Sequence, residues 1–375
     1  MTRVLLFTNT VAPYRLPLFQ RLAQEVDLHV LFARSREADR RWTVALEAYR
    51  FHRTFLPHRT LRLGNATQVF HPGLLAHLRR HPFDVAILGD NRQTALSGLL
   101  IVLVARLRRR PWIVWTGITS GEERVARSAR ALQRLLARYR RRLFRRAAAV
   151  VAYGTATRRY LVEMGVPETR CFAGTQVVPA EQLPPPLADR AALGVAGKRV
   201  VLSVSYLVPR KGLDRLIRAF QRVAGPEDRL ILVGSGPEEA PLRALAGDDP
   251  RIRFPGYLEG GHKTAWYAAA DLFVLPTLHD PWGLVVNEAM AFGLPIVTTD
   301  AAGCAPDLVQ DNGLVVPAGD ERALADALAR LLSDEPLRRR MGARSREIIA
   351  GYTVDWAGQT FLRAIHHALE RGRRG

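Results

Sequence analysis

Residues 199–237 read RVVLSVSYLVPRKGLDRLIRAFQRVAGPEDRLILVGSGP. Two short β-rich runs, Arg199–Val204 and Leu230–Val233, flank the amphipathic segment Leu213–Ala224. Strand, helix and strand in that order imply parallel strands with helices on their faces. The second run ends in Gly234-Ser235-Gly236, and Pro237 is expected to open the next helix. Glycine permits close backbone approach, and a helix N-terminus offers free amides to an anion. Arg210 and Lys211 stand in the first strand-to-helix turn, a place suited to phosphate. Taken singly these signals are weak: such Gly-rich turns occur in any α/β protein, and loop arginines and lysines are usually just solvated.

The same alternation runs through the whole chain. Val4–Thr8, Leu28–Phe32, Val85–Leu88, Ile113–Trp115 and Val150–Ala152 read as buried strands in the first half. Ile252–Phe254, Leu272–Leu275 and Ile296–Thr298 continue the series in the second. Pro184-Pro185-Pro186 interrupts it, because proline fixes φ and lacks an amide donor. The expected organisation is α/β with two Rossmann-like parallel-sheet domains facing across a cleft. Residues 1–178 would form the first, 179–187 a linker and 188–352 the second. A C-terminal helix, 353–375, would cross back to the first. Ligands of open α/β sheets bind outside the carboxyl ends of the strands.

Length and composition agree with two domains: 375 residues, 48% of them apolar. The net charge is +20, and all of it lies in the first half. Residues 1–180 hold 31 Arg or Lys against 11 Asp or Glu, and residues 181–375 hold 24 of each. An anionic partner for the first half is implied; a solubilising arginine-rich composition is the plainer alternative. The cysteines, Cys171 and Cys304, make neither a metal-spacing motif nor a disulfide framework. No signal peptide is read at the N-terminus, and the longest apolar run, Ala95–Ala105, is too short to span a bilayer. A cytoplasmic protein, peripheral on the inner face of the cytoplasmic membrane, is expected.

Residues 278–291 read LHDPWGLVVNEAMA. One carboxylate, Asp280, lies in the loop after a strand, and a second, Glu288, lies eight positions on in an apolar helix. Asp280 could serve only as a helix cap, but Glu288 is costly there unless it is paired. With Gly283 at the helix start, the cluster offers carboxylates for hydroxyls and amides for phosphate.

These motifs resemble family 4 of the retaining glycosyltransferases, which have the two-domain GT-B fold. The family's Glu-x7-Glu pattern appears as Asp280-x7-Glu288, its lysine as Lys211-Gly212, and its glycine turn as Gly234 and Gly236-Pro237. Asn9 through Pro17, with Pro13, Tyr14 and Arg15, resembles the opening loop on the acceptor side. Three positions depart from the pattern. Asp280 replaces a glutamate, Tyr206 replaces an arginine, and Trp115-Thr116-Gly117-Ile118-Thr119 stands where many members carry a histidine.

The resemblance implies retaining transfer of a sugar from a nucleotide sugar, UDP-linked in preference to GDP-linked, with neither metal nor other cofactor. Lys211 and the amides of Gly283, Leu284 and Val285 would balance the leaving diphosphate, with Arg210 assisting. Asp280 would orient the sugar, Glu288 would hold the ribose, and Tyr257 and Trp282 would complete the donor pocket. The acceptor would be a glycan or lipid-linked glycan in cell-surface polysaccharide or glycolipid synthesis. Residues 124–146 count as a basic amphipathic helix, with Arg124, Arg127, Arg130, Arg134, Arg138, Arg141 and Arg145 on one stripe. It is the candidate contact with an anionic membrane. The rival readings are a GT-B sugar-nucleotide epimerase and a basic nucleic-acid-binding protein. The first lacks its catalytic cluster, and the second lacks interleaved aromatics and any recognised motif.

Overall fold

Val4, Leu5, Leu6 and Phe7 are consecutive and all buried. Successive strand residues face opposite ways, so both faces of this strand need cover, which a parallel sheet between helix layers supplies. The structure is a computed structural model that describes residues 1–34, 46–63, 66–121 and 131–374. These fall into two units, Met1–Thr175 with Val354–Gly375, and Gln176–Thr353.

The strands of the first unit are β1 (Arg3–Thr8), β2 (Asp27–Phe32), β3 (His52–Phe55), β4 (Arg59–Leu63), β5 (Ala66–Phe70), β6 (Val85–Gly89), β7 (Trp112–Thr116), β8 (Ala149–Ala152) and β9 (Cys171–Ala173). Seven of them form one sheet in the order β3-β2-β1-β6-β7-β8-β9. Every pair in it is parallel. β4 and β5 form a separate antiparallel hairpin. The helix Val354–Arg374 packs on the helix Leu16–Leu22 and across β8 and β9. It buries Phe361, whose ring meets Trp115 edge-on at 5.2 Å.

The second unit contributes β10 (Arg199–Val204), β11 (Asp228–Val233), β12 (Ile252–Gly256), β13 (Leu272–Leu275), β14 (Ile296–Thr299) and β15 (Gly313–Val316). Their order is β12-β11-β10-β13-β14-β15, again all parallel. The helices Leu213–Val223 and Glu321–Ser333 pack together on this sheet, and Leu216, Ile217, Phe220, Leu328 and Leu331 fill the layer between. In each unit the first strand lies inside the sheet. The chain builds outward on one side of it, then returns to its other flank. The crevice of an open α/β sheet forms at that reversal, here between β1 and β6 and between β10 and β13.

Some expectations need adjusting. The chain enters the second unit at Gln176, and residues 179–187 lie along that unit, with Leu187 donating its amide to Gly261 (3.1 Å). The helix after β11 begins at Glu239 rather than Pro237. The Glu238 amide is drawn instead to the Leu207 carbonyl (3.0 Å), which holds the turn open. Of the basic helix, Ala131–Arg146 is described; Arg124, Arg127 and Arg130 lie outside the described residues. Among the described residues no helix is long and apolar enough to cross a membrane.

On the flank of the first sheet, His29 of β2 meets His77, within the helix Leu74–Arg80, and His81, which caps that helix. The ring centroids lie 5.1, 5.1 and 4.4 Å apart. His29 bonds Thr54 Oγ1 (2.8 Å), and His77 Nε2 is buried without a hydrogen-bond partner. Burial pushes His29 down to about 4, helped by His77, His81 and His52 and opposed by Asp27. Burial, His81 and Arg80 lower His77 as well. The folded state therefore prefers neutral imidazoles. Their contribution is complete above the unfolded histidine value near 6.5 and is lost as pH falls towards about 4. The melting temperature should drop across that window, and more gently in a His29→Gln variant; parallel curves would contradict this.

Candidate functional site

The loops after β10 and β13 meet at the reversal point of the second sheet. Leu278 donates its amide to the Arg210 carbonyl (2.7 Å), and Thr277 Oγ1 donates to the same carbonyl (3.0 Å). This brace sets Lys211, at the end of the 3-10 turn Pro209–Lys211, against Asp280. Lys211 Nζ donates to Asp280 Oδ2, and each residue is only 8% exposed. Asp280 Oδ1 accepts the Trp282 amide (3.2 Å). Burial pushes the Asp280 carboxyl up, but the Lys211 ammonium, with Arg210 and the Trp282 amide, outweighs it and holds the group below the usual carboxylate range. The pair is therefore ionised and sheltered from water.

The helix Leu284–Ala291 starts directly beyond this pair. Its N-cap, Gly283, has φ 99°, and no side chain caps the helix. That φ favours glycine, and a Cβ there would also press on Leu275 Cδ2 at 2.7 Å. The leading amides of the helix, those of Leu284 and Val285, have no intrahelical acceptor and point out of its start, where the backbone dipole favours an anion. Trp282 is buried, and its indole donates to Asn287 Oδ1 (2.9 Å). Asn287 in turn donates to the Gln176 carbonyl (3.2 Å).

Glu288 is one turn further along. Its Oε1 accepts from Lys263 Nζ (2.8 Å) and its Oε2 from Tyr267 OH (2.8 Å). Lys263 and Tyr267 are four apart on the helix Gly260–Ala269 and so share a face. The carboxylate in the apolar helix is thus paired, as its cost demanded. Each oxygen keeps a further lone pair for a ligand hydroxyl. Burial, then the Glu288 charge, pushes the Tyr267 phenol well up, so it stays a donor.

Gly234 and Gly236 lie against the β10 loop. A Cβ at Gly234 would fall 1.8 Å from the Ser205 carbonyl oxygen, so only glycine lets these loops touch. Pro237 is exposed in the turn that follows. Arg210 is exposed too, and its Nη1 donates to the His279 carbonyl (3.1 Å). Tyr257 is exposed and bonded to Glu259, and Tyr206 is exposed in the β10 loop. Among the described residues, no group of three His, Cys, Asp or Glu is placed to hold a metal ion.

The first unit has its own polar cluster at its reversal point. Pro13–Arg15 form a 3-10 turn after β1. Arg15 donates to Thr8 Oγ1 (3.1 Å) and Tyr153 OH (2.8 Å), and its guanidinium lies 4.3 Å from the centre of the Trp115 ring and 5.6 Å from that of Tyr14. Directly after β6, Asp90 accepts from Thr116 Oγ1 (2.7 Å) and from Arg140 Nε (3.0 Å). Sequence reasoning passed over Asp90, Tyr153 and Arg140. Asp90 had a signal, because it follows an apolar strand at the end where ligands bind. Arg140 had none, since it falls outside the counted arginine stripe.

Comparison with known proteins fits this geometry. Residues 198–334 match the family described as Glycosyl transferases group 1, and residues 9–173 match the Glycosyl transferase 4-like domain. The chain is 37% identical over 194 residues to the GDP-mannose-dependent monoacylated alpha-(1-6)-phosphatidylinositol monomannoside mannosyltransferase of Corynebacterium glutamicum, covering 49% of this chain and 50% of that one. It is 36% identical over 170 residues to the lipopolysaccharide core biosynthesis glycosyltransferase LpsE of Rhizobium meliloti, covering 44% and 48%. The matches thus span about half the length of these curated relatives. Among solved structures, Anabaena HepE in complex with UDP and glucose superposes with a TM-score of 0.76 at 20% identity, over 98% of this chain and 100% of that one. WaaG, a glycosyltransferase involved in lipopolysaccharide biosynthesis, does so with a TM-score of 0.68 at 20% identity, over 95% and 97%. The two Rossmann-like parallel-sheet domains are those of the GT-B fold. With both halves matched, the chain belongs to the group 1 glycosyl transferases.

Proposed function

We propose that this chain moves a hexosyl group from a nucleoside-diphosphate sugar to a glycan or lipid-linked acceptor, with retention of configuration and without a metal. The observation that carries this reading is the buried Lys211–Asp280 pair beside the uncapped helix start at Gly283. A fixed cation and converging amides suit a diphosphate, and an ionised carboxylate next to them suits sugar hydroxyls. In the transfer the bond from the anomeric carbon to the diphosphate oxygen breaks and a bond to the acceptor oxygen forms. The acceptor proton passes to the leaving phosphate, so no protein base is required. Lys211 and the amides of residues 283–285 offset the charge that develops there. Glu288, steadied by Lys263 and Tyr267, receives the ribose hydroxyls.

Both UDP and GDP donors find support, since the relatives' names include a GDP-mannose enzyme and the HepE structure holds UDP. The named relatives also act in glycolipid and lipopolysaccharide synthesis, which favours a lipid-linked acceptor and a place on the inner face of the cytoplasmic membrane. The Asp90–Thr116–Arg140 and Arg15–Tyr153 clusters are the proposed acceptor side. Arg138, Arg141 and Arg145 are exposed on the basic helix, as contact with anionic lipid requires. Nucleotide release from a panel of UDP- and GDP-sugars, with and without EDTA, tests the reading. One donor should be consumed at a rate EDTA leaves unchanged. No release from any donor, even with bacterial membranes supplied as acceptor, would overturn it.

A further inference from the structure

The helix Ala95–Leu107 carries a single charged residue, Arg106 in its last turn, yet only one side of it is covered. Its inner side buries Ser97, Ile101, Val102, Val104 and Ala105. Its outer side exposes Leu96, Leu99, Leu103 and Leu107 by 41, 45, 50 and 76%. At 100° per residue these four leucines fall within an arc of about 80°, a stripe roughly 16 Å long. Leu75, on the helix Leu74–Arg80 that packs against it, is a further exposed leucine at 38%. A helix without a polar face is normally buried in a core or in lipid, and continuous apolar patches on a protein surface mark contact sites.

The flanks of the stripe indicate what covers it. Arg106 and Arg109 are exposed at one end, and Arg79 and Arg80 beside Leu75. No Asp or Glu occurs between residues 91 and 121, or in the helix Leu74–Arg80. A second copy of the chain docked here would set arginine against arginine, and the carboxylate at that end, Asp84, is already engaged by Arg3 and Arg110. A bilayer with anionic headgroups meets both features, taking the leucines into its acyl boundary and the guanidiniums at its phosphates.

We propose that the leucine face of Ala95–Leu107 is the principal membrane-seating surface of the first unit, the arginines of the basic helix adding only a salt-screened share. The inference deepens the membrane part of the proposed function and needs none of its transfer chemistry. The test is co-sedimentation with phosphatidylcholine vesicles, with and without phosphatidylglycerol. It compares wild type, a Leu99→Gln/Leu103→Gln/Leu107→Gln variant and an Arg138→Gln/Arg141→Gln variant. Wild type should bind anionic vesicles and keep part of that binding at high salt, because the apolar share is not screened. The leucine variant should bind at least ~10-fold more weakly. The arginine variant should lose much less, and only at low salt.

Circular dichroism and melting establish that each variant is folded, and a Leu→Ala triple replaces the glutamines if they disturb the helix. Leucine variants that bind as wild type does would overturn the proposal, whatever the arginine variant does. So would a wild type that ignores vesicles but forms a dimer that the leucine variants break. Nucleotide release is followed in the same preparations and should be equal in all of them. If wild type releases none, the donor reading fails while the vesicle result stands.

Discussion

Replacing Lys211 with alanine will lower the transfer rate by at least ~10²-fold, the loss typical of removing one preorganised group that stabilises developing charge. Lys211 is held where the β10 and β13 loops cross, and Asp280 fixes its ammonium. The substitution also leaves Asp280 buried without its partner, which costs about 3–5 kcal/mol in comparable buried pairs. Melting must therefore be measured beside activity. Asp280 itself separates the two roles. Asp280→Asn removes the charge that holds Lys211, whereas Asp280→Glu keeps it, so the first should be far more damaging to rate. Equal and mild effects of the two would reduce Asp280 to a loop-fixing residue. A near-wild-type rate in Lys211→Ala would sink the site assignment.

Glu288→Ala should likewise cost at least ~10²-fold in rate at fixed donor concentration. Part of this loss should appear in KM for the donor, because a residue that holds the ribose acts on binding. Lys263 and Tyr267 position the carboxylate without being assigned to the donor. Lys263→Met and Tyr267→Phe should therefore raise KM less than Glu288→Ala does, and Tyr267→Phe should keep most of kcat. If Glu288→Ala leaves both constants unchanged, the carboxylate only satisfies Lys263 and the ribose lies elsewhere.

The interior strands were legible because they are buried on both faces. β1, β6, β8 and β13 each appear in the sequence as an unbroken apolar run; the run is interrupted in β10 by Ser203 and cut short in β14 by Thr298 and Thr299. Among the outer strands β12 was read, but the others give a weaker signal. β3 is His-Arg-Thr-Phe with no buried residue, β9 has three half-buried residues, and β15 buries only one. The hairpin of β4 and β5 also escaped, since it pairs only with itself. At the site, Lys211, Asp280, Gly283 and Glu288 were readable because each lies in a short motif after a strand. What steadies them was not. Lys263 lies 25 residues from Glu288 in sequence, and Arg140 lies 50 from Asp90. Those pairings come from crossover topology, which local periodicity does not encode.

The helix Val354–Arg374 has a consequence for how the protein is made. It completes the first unit, burying Ala357, Phe361, Leu362, Ala364, Ile365 and Ala368, although the 178 residues of Gln176–Thr353 precede it in the chain. During synthesis the second unit is continuous, and its core can close as it leaves the ribosome. The first unit emerges earlier yet stays unfinished, with the groove along the helix Leu16–Leu22, β8 and β9 open until this last helix arrives. Burial in the first unit is therefore completed only after the second unit has been made, against the usual N-terminal-first order of domain folding.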